Sequence, residues 1–258
     1  MAEALIGGIL DAGIATPNEI RVGEPISKRR SELSKKYKIT AEARNIDVLD
    51  EADIIILSIK PQSLSASMSE LGPNLSKLQT VLSIVAGIRI KSLEAGLAHK
   101  SIIRVMPNTP AQIRAGMSVW TASPNVPERK IATSREILQT LGEELYVSDE
   151  NLIDMATAIS ASGPAYVFLF IEALIDAGVY LGMSREMANK LVLQTLEGST
   201  KLMRESGRHP ADLKNMVSSP GGGTVEALMA LEQGGFRATI LEAIAAAYEK
   251  YQTLGKIT

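Results

Sequence analysis

Between Val217 and Thr224 the sequence reads Val217-Ser218-Ser219-Pro220-Gly221-Gly222-Gly223-Thr224 and then passes into a helical pattern, Val225-Glu226-Ala227-Leu228. A glycine-rich loop entering a helix leaves backbone N–H groups unpaired at the positive end of the dipole, which suits a phosphate or a carboxylate. Ser219 and Thr224 add hydroxyls. No Lys-Ser/Thr pair follows the glycines, so this is not a nucleotide P-loop. A plain interhelical turn capped by Thr224 would use the same residue types, and the loop alone leaves both readings open. Other reactive groups are scarce. The chain has no cysteine, which excludes disulfides, thiolate nucleophiles and cysteine metal sites. Its two histidines, His99 and His209, lie far apart and each falls in a segment expected to be a surface turn. Neither a Ser–His–Asp set nor a carboxylate pair emerges from the spacing. What remains is a ligand site of neutral polar groups with little acid–base equipment, which points to a cofactor.

These residues need a scaffold, and the first half supplies a pattern for one. Asp53-Ile54-Ile55-Ile56-Leu57-Ser58-Ile59-Lys60-Pro61 is a short apolar run stopped by proline, and the runs 81–87 and 102–107 repeat it. Such runs, rich in β-branched residues, predict strands buried on both faces of a parallel sheet. Helices are expected over 2–12 and 28–36, with an extended stretch over 18–22. Ligands of an open parallel sheet bind beyond the carboxyl ends of its strands. That places Ser58-Ile59-Lys60-Pro61, Ala86-Gly87 and Pro107-Asn108-Thr109-Pro110 along the crevice.

From about Ser148 only helical patterns follow, over 151–159, 165–181, 185–206, 225–232 and 238–254. The division expected is residues 1–149 for the sheet domain and 150–258 for a helical one. Ser162 is expected to cap the helix over 165–181, with Pro164 in its first turn. That helix is apolar on most sides and must be buried, in a core or in a partner subunit.

The 258 residues carry 27 Lys plus Arg against 29 Asp plus Glu, so no excess positive charge invites a nucleic-acid backbone. At 45% hydrophobic and 22% charged, the composition is that of a globular protein. The longest apolar candidate, 165–182, is interrupted by Glu172 and Asp176 and falls short of a membrane span. The opening residues lack the basic start and cleavage site of a secretory signal, and the expectation is a soluble, cytoplasmic protein without a membrane or nucleic-acid partner.

The segment Asp212-Leu213-Lys214-Asn215-Met216-Val217-Ser218-Ser219-Pro220-Gly221-Gly222-Gly223-Thr224, with Ala227-Leu228 and Leu231-Glu232 after it, closely resembles the signature of pyrroline-5-carboxylate reductase. The likeness extends, in the family's order, to Ala4-Leu5-Ile6-Gly7-Gly8, Ser58-Ile59-Lys60-Pro61, Val85-Ala86-Gly87, Met106-Pro107-Asn108-Thr109-Pro110, Ser162-Gly163-Pro164-Ala165-Tyr166 and Gly234-Gly235-Phe236-Arg237. The resemblance implies an enzyme that reduces the cyclic imine 1-pyrroline-5-carboxylate to L-proline with NADPH or NADH, the last step of proline synthesis. It implies a Rossmann-like parallel sheet domain followed by an all-α dimerisation domain, in a homodimer often assembled into a decamer. By the same resemblance Asn45, Ser58, Ile59, Lys60, Pro61, Ala86 and Gly87 lie along the cofactor. Ser219, Gly222, Gly223 and Thr224 hold the substrate, and Thr224 meets the imine nitrogen.

Family members begin with a strand and a Gly-x-Gly-x-x-Met loop ahead of the helix that opens this sequence. The sheet is therefore expected to lack its first strand, roughly ten residues with the loop. Two other expectations stay open: a dimeric helical-domain protein without effective catalysis, and a related reductase acting on another imine or a hydroxyacid. A strand ending at Val22-Gly23 would bring Glu24 to the adenosine ribose, while Lys28, Arg29 and Arg30 close behind favour a 2′-phosphate, so use of both cofactors is expected.

Overall fold

The computed structural model describes residues 1–254; residues 255–258, the last four of the expected helical domain, lie outside the described residues. Contacts divide the chain into two units, one of Met1–Pro164 joined by the chain from Ala247 on, the other Ala165–Ala246.

The first unit opens with α1 (Ala2–Asp11), β1 (Arg21–Gly23), α2 (Ser27–Tyr37) and β2 (Thr40–Glu42). It continues through β3 (Ile54–Leu57), α3 (Pro61–Leu71), β4 (Thr80–Ser83), α4 (Ile90–Leu97) and β5 (Ile102–Pro107). After β6 (Gly116–Ala122), α5 (Glu128–Gln139), β7 (Gly142–Tyr146) and α6 (Asn151–Ala156), a π-helical turn, Thr157–Ala161, leads to α7 (Gly163–Tyr180). β1 and β2 form a parallel pair of their own, and the other five strands form one sheet in the order β3-β4-β5-β6-β7. β3, β4 and β5 are parallel, with Leu57 opposite Ser83 and Ser83 opposite Arg104.

The three apolar runs become these three strands because both faces of the sheet are covered. Val81 and Ile102 pack with Leu64, Leu71, Leu93 and Leu97 of α3 and α4. Their neighbours Leu82, Ile103 and Val105 pack with Leu5, Ile9, Trp120 and Leu138 on the other side. Each such full burial contributes about 1.5–3 kcal/mol before the entropy of ordering is subtracted. The expected strand over 53–61 stops earlier than its apolar pattern, since Pro61 is the first residue of α3. The stretch 18–22 divides into a 3-10 turn, Pro17–Glu19, and β1.

One strand pairing departs from the parallel expectation. β5 and β6 are antiparallel, with Val105 opposite Trp120, while β6 and β7 are parallel to each other. The link from Pro107 to Gly116 is shorter than the roughly dozen residues a parallel crossover needs. The chain can only turn back.

Ser162 does not cap a helix. It lies inside continuous helical backbone, its N–H donates to the carbonyl of Thr157, and its hydroxyl meets that of Tyr251 at 2.8 Å. Pro164 explains the irregular turn before it. A proline has no N–H for the carbonyl four residues back and crowds it; that carbonyl belongs to Ser160, and the side-chain amide of Asn108 donates to it instead at 3.3 Å. The helical run 151–180 is consequently continuous, and by length and composition it is apolar enough to cross a membrane. The sequence criterion, which broke it at 165, counted only its second half.

The second unit contains α7 from Ala165, α8 (Arg185–Ser206), α9 (Pro210–Met216), α10 (Gly223–Gln233) and the first part of α11 (Phe236–Leu254). Of the buried apolar side chains among the described residues, only Ala188 belongs to it, while Phe168 is 62% and Leu169 68% exposed. A helical layer with so little interior is half of something.

Candidate functional site

β3 ends at Leu57, and the chain turns through Ser58, Ile59 and Lys60 into α3, where Pro61 occupies the position that has no helical use for an N–H. β4 ends at Ser83, and the turn after it carries Ala86 and Gly87, the latter at φ +76°. Asn45 opens the 3-10 turn Asn45–Val48 behind β2. It crosses the carboxyl end of β1 so closely that a Cβ on Gly23 would sit 2.6 Å from its Oδ1. Only glycine at 23 admits it.

A cavity of about 690 Å³ lies at the start of α1, lined among others by Glu3, Arg29, Lys36, Ser58, Ile59 and Lys60. The Glu3 carboxylate accepts from Lys36 Nζ at 2.6 Å, from the Tyr37 hydroxyl at 3.0 Å and from Arg29. Those partners, the lysine foremost, hold its carboxyl down at about 2 against an ordinary 4.5. With Arg29, Lys36 and Lys60 against one carboxylate, and a helix N-terminus beside them, these lining groups favour an anion. Of the expected cofactor residues, Ser58, Ile59 and Lys60 line this cavity; Asn45, Pro61, Ala86 and Gly87 do not.

Sequence reasoning missed Glu3, Lys36 and Tyr37 here. The signal was present in an acidic first turn on one helix and a basic face on the next. Arg29, read as a partner for a 2′-phosphate, is engaged by Glu3. Glu24 accepts the N–H of Ile26 at 2.9 Å, and Arg30 donates to the carbonyls of Glu24 and Pro25, each at 2.8 Å. Lys28 stays exposed.

The turn bearing Ala86 and Gly87 is anchored by charge. Arg89, at the start of α4, donates to Asp154 at 2.7 Å and to Asn151 at 2.9 Å. Buried Arg104 on β5 donates to Asp154 at 2.6 Å and to Glu150 at 2.9 Å, and Glu150 also accepts the N–H of Ile90 at 2.8 Å. Two arginines and two carboxylates thus tie the sheet and the start of α4 to α6. No motif announced this cluster. Asn108, at the end of β5, donates to Ser160 and accepts the N–H of Met117 at 2.9 Å, so its amide serves the backbone.

In the second unit the glycine loop has a definite form. Gly221 takes φ +67°, the N–H of Gly222 donates to the carbonyl of Ser219 at 3.0 Å, and Gly222 is the N-cap of α10. Thr224 is therefore the second helical residue and not a cap, and no side chain caps this helix. The N–H groups of Gly223 and Thr224 have no acceptor within the helix. Both residues and Ser219 are exposed. His209 is the N-cap of α9, its Nδ1 accepting from Ala211 at 3.2 Å. His99 is not on a surface turn: it is buried, with Nε2 2.8 Å from the carbonyl of Gln79.

Two family models match, "Pyrroline-5-carboxylate reductase dimerisation" over residues 150–254 and "NADP oxidoreductase coenzyme F420-dependent" over residues 1–87. The chain is 40% identical over 256 residues to a pyrroline-5-carboxylate reductase of Synechocystis sp., covering 99% of this chain and 95% of that protein. It is 39% identical over 257 residues to the pyrroline-5-carboxylate reductase of Escherichia coli, with 99% and 95% covered. Among solved structures, the Plasmodium falciparum pyrroline carboxylate reductase with NADP bound superposes with a TM-score of 0.89 at 34% identity, covering 98% of this chain and 94% of that one. The enzyme from Streptococcus pyogenes gives 0.87 at 32% identity, with 98% and 95% covered. With such likeness running from the sheet domain through the helical one, the chain belongs to the pyrroline-5-carboxylate reductase family.

Proposed function

We propose that this reductase holds its nicotinamide cofactor along Asn45, Ser58, Ile59, Lys60, Pro61, Ala86 and Gly87, and its substrate at Ser219, Gly222, Gly223 and Thr224. The activity of the family is NAD(P)H-dependent reduction of 1-pyrroline-5-carboxylate to L-proline. When bound, the cofactor supplies the hydride that the C=N carbon accepts. The N–H groups of Gly223 and Thr224 hold the substrate carboxylate, and the Thr224 hydroxyl donates a hydrogen bond to the imine nitrogen; as the C=N electron pair moves onto nitrogen, the nitrogen takes its proton from solvent. Positioning carries most of the rate, which suits a site without a strong acid. We keep residues 1–149 as the cofactor part and 150–258 as the part for substrate and subunit contact. Two chains pair through the helical part, and dimers assemble further into a decamer, in the cytoplasm.

One observation supports the substrate reading above the others. Gly222, not Thr224, takes the cap position, which leaves an exposed hydroxyl beside two N–H groups that no side chain caps. Gly223→Ala tests it. Nothing lies within 4 Å of a Cβ built at Gly223, so the methyl strains nothing in the fold, and because helical Cβ atoms tilt toward the N-terminus it would crowd a ligand held there. The expected outcome is an unchanged or raised melting temperature, since alanine suits a helix better by about 0.8–1 kcal/mol, with a KM for pyrroline-5-carboxylate raised at least severalfold. An unchanged KM would remove Gly223 from the substrate site.

A further inference from the structure

We infer that Glu70 is a positioning residue for the cofactor, acting through the side chain of Asn45. The inference rests on the proposal above that Asn45 lies against the cofactor. Glu70 stands on α3 near its carboxyl end, and its two carboxylate oxygens are used separately. Oε2 accepts from Asn45 Nδ2 at 2.8 Å, and Oε1 accepts from the N–H of Ile46 at 3.2 Å. A carboxylate can only accept, so this pair of bonds dictates which end of the Asn45 amide faces α3. The nitrogen is turned toward Glu70 and the oxygen lies over Gly23, where a Cβ would approach it to 2.6 Å. Asn45 is thereby clamped between an acceptor on one element and a bare backbone on another, at the carboxyl end of β1. In Rossmann-type sheets that end receives the nucleoside ribose. The clamp leaves the amide oxygen and one N–H of Asn45 with fixed directions toward a ligand there. Glu70 itself makes no such approach, so its effect must pass through Asn45.

Glu70→Gln separates this role from a general one. A glutamine amide replaces one of the two acceptor oxygens by an NH2 donor, so it cannot take both the Asn45 Nδ2 and the Ile46 N–H on separate oxygens as Glu70 does. One N–H loses its partner, or the Asn45 amide turns over and offers the wrong atom to the ligand. Arg44, which also feels the Glu70 charge, keeps its own pair with Asp47. The experiment is a titration of NADPH into the full chain by fluorescence, for wild type, Glu70→Gln, Asn45→Ala and the double variant, with melting temperatures alongside. The expectation is that each single change raises Kd about tenfold, the scale of one positioned polar contact. The double variant should bind as Asn45→Ala does, because the two residues act as one unit, and in Glu70→Gln kcat at saturating cofactor should stay at the wild-type value while the KM for the cofactor rises. Weakened binding in Asn45→Ala with an unchanged Kd in Glu70→Gln would overturn the inference and leave the placement of Asn45 standing. So would effects that multiply in the double variant. An unchanged Kd in Asn45→Ala would overturn both.

Discussion

Thr224 sits two residues past the cap of α10, so losing its hydroxyl costs the helix nothing that a cap would cost. Thr224→Ala is expected to leave the melting temperature within a degree or two and to lower kcat by about 5- to 150-fold, the loss of roughly 1–3 kcal/mol of transition-state hydrogen bonding. Steady-state kinetics beside a thermal melt would decide it, and an unchanged kcat would take Thr224 out of the chemistry. Glu3 makes a prediction of opposite kind. Its carboxyl is held at about 2 in the folded chain against an ordinary 4.5, so its contribution to stability is complete above pH 4.5 and disappears as pH falls through 2. Glu3→Gln should melt below wild type at pH 7, and the gap should close progressively under acid. A gap independent of pH would contradict the charge as its cause. These two residues also mark what could be read in advance. The glycine loop was legible as a loop entering a helix, although a plain turn uses the same residue types. Glu3 was not legible, since its importance lies in three partners that only the packing of α1 on α2 assembles.

Strands β3, β4 and β5 were visible as apolar runs because helices cover both their faces. β6 and β7 escaped notice for related reasons. β6 alternates small and polar residues with Val119 and Trp120, and the indole of Trp120 donates to Glu144 on β7 at 2.5 Å, so its largest side chain is satisfied partly by a charge. β2 is only Thr40–Glu42, too short to carry a pattern. Least legible was the charged joint of Arg89, Arg104, Glu150 and Asp154, whose members are spread over three elements. Arg104 is 3% and Asp154 6% exposed at the side chain, which makes the joint sensitive to loss of either partner. Asp154→Asn leaves Arg104 with Glu150 as its one remaining carboxylate and is expected to destabilise the first unit by about 1–3 kcal/mol, the loss of charge-assisted hydrogen bonds to a buried guanidinium. A denaturation midpoint close to wild type would show that the arginines find other partners. Because the Ala86-Gly87 turn leads through Ile88 to Arg89 and Ile90, a variant that still folds should, if the turn holds the cofactor as proposed, also show a raised KM for it.

At the scale of the molecule, the helical unit answers the question its sequence raised. The apolar helix was expected to need a core or a partner, and among the described residues there is no core for it: Phe168 and Leu169 on α7 are exposed. The match to a dimerisation domain supplies the cover, and the chain is a homo-oligomer. Phe168→Asp with Leu169→Asp should yield a smaller species in sedimentation, with loss of activity. A variant that keeps the wild-type mass would place the subunit contact on other helices. One further consequence follows from the way α11 ends. Tyr251 bonds to Ser162, and the chain from Ala247 on belongs with the first unit although it is made last. A ribosome releases the polypeptide from its N-terminus, and domains ordinarily finish folding in that order. Here the sheet domain emerges early yet waits for almost the entire chain before its last piece arrives. A nascent chain halted after residue 246 still lacks the segment whose Tyr251 meets Ser162, so the part synthesised first stays open until late in synthesis.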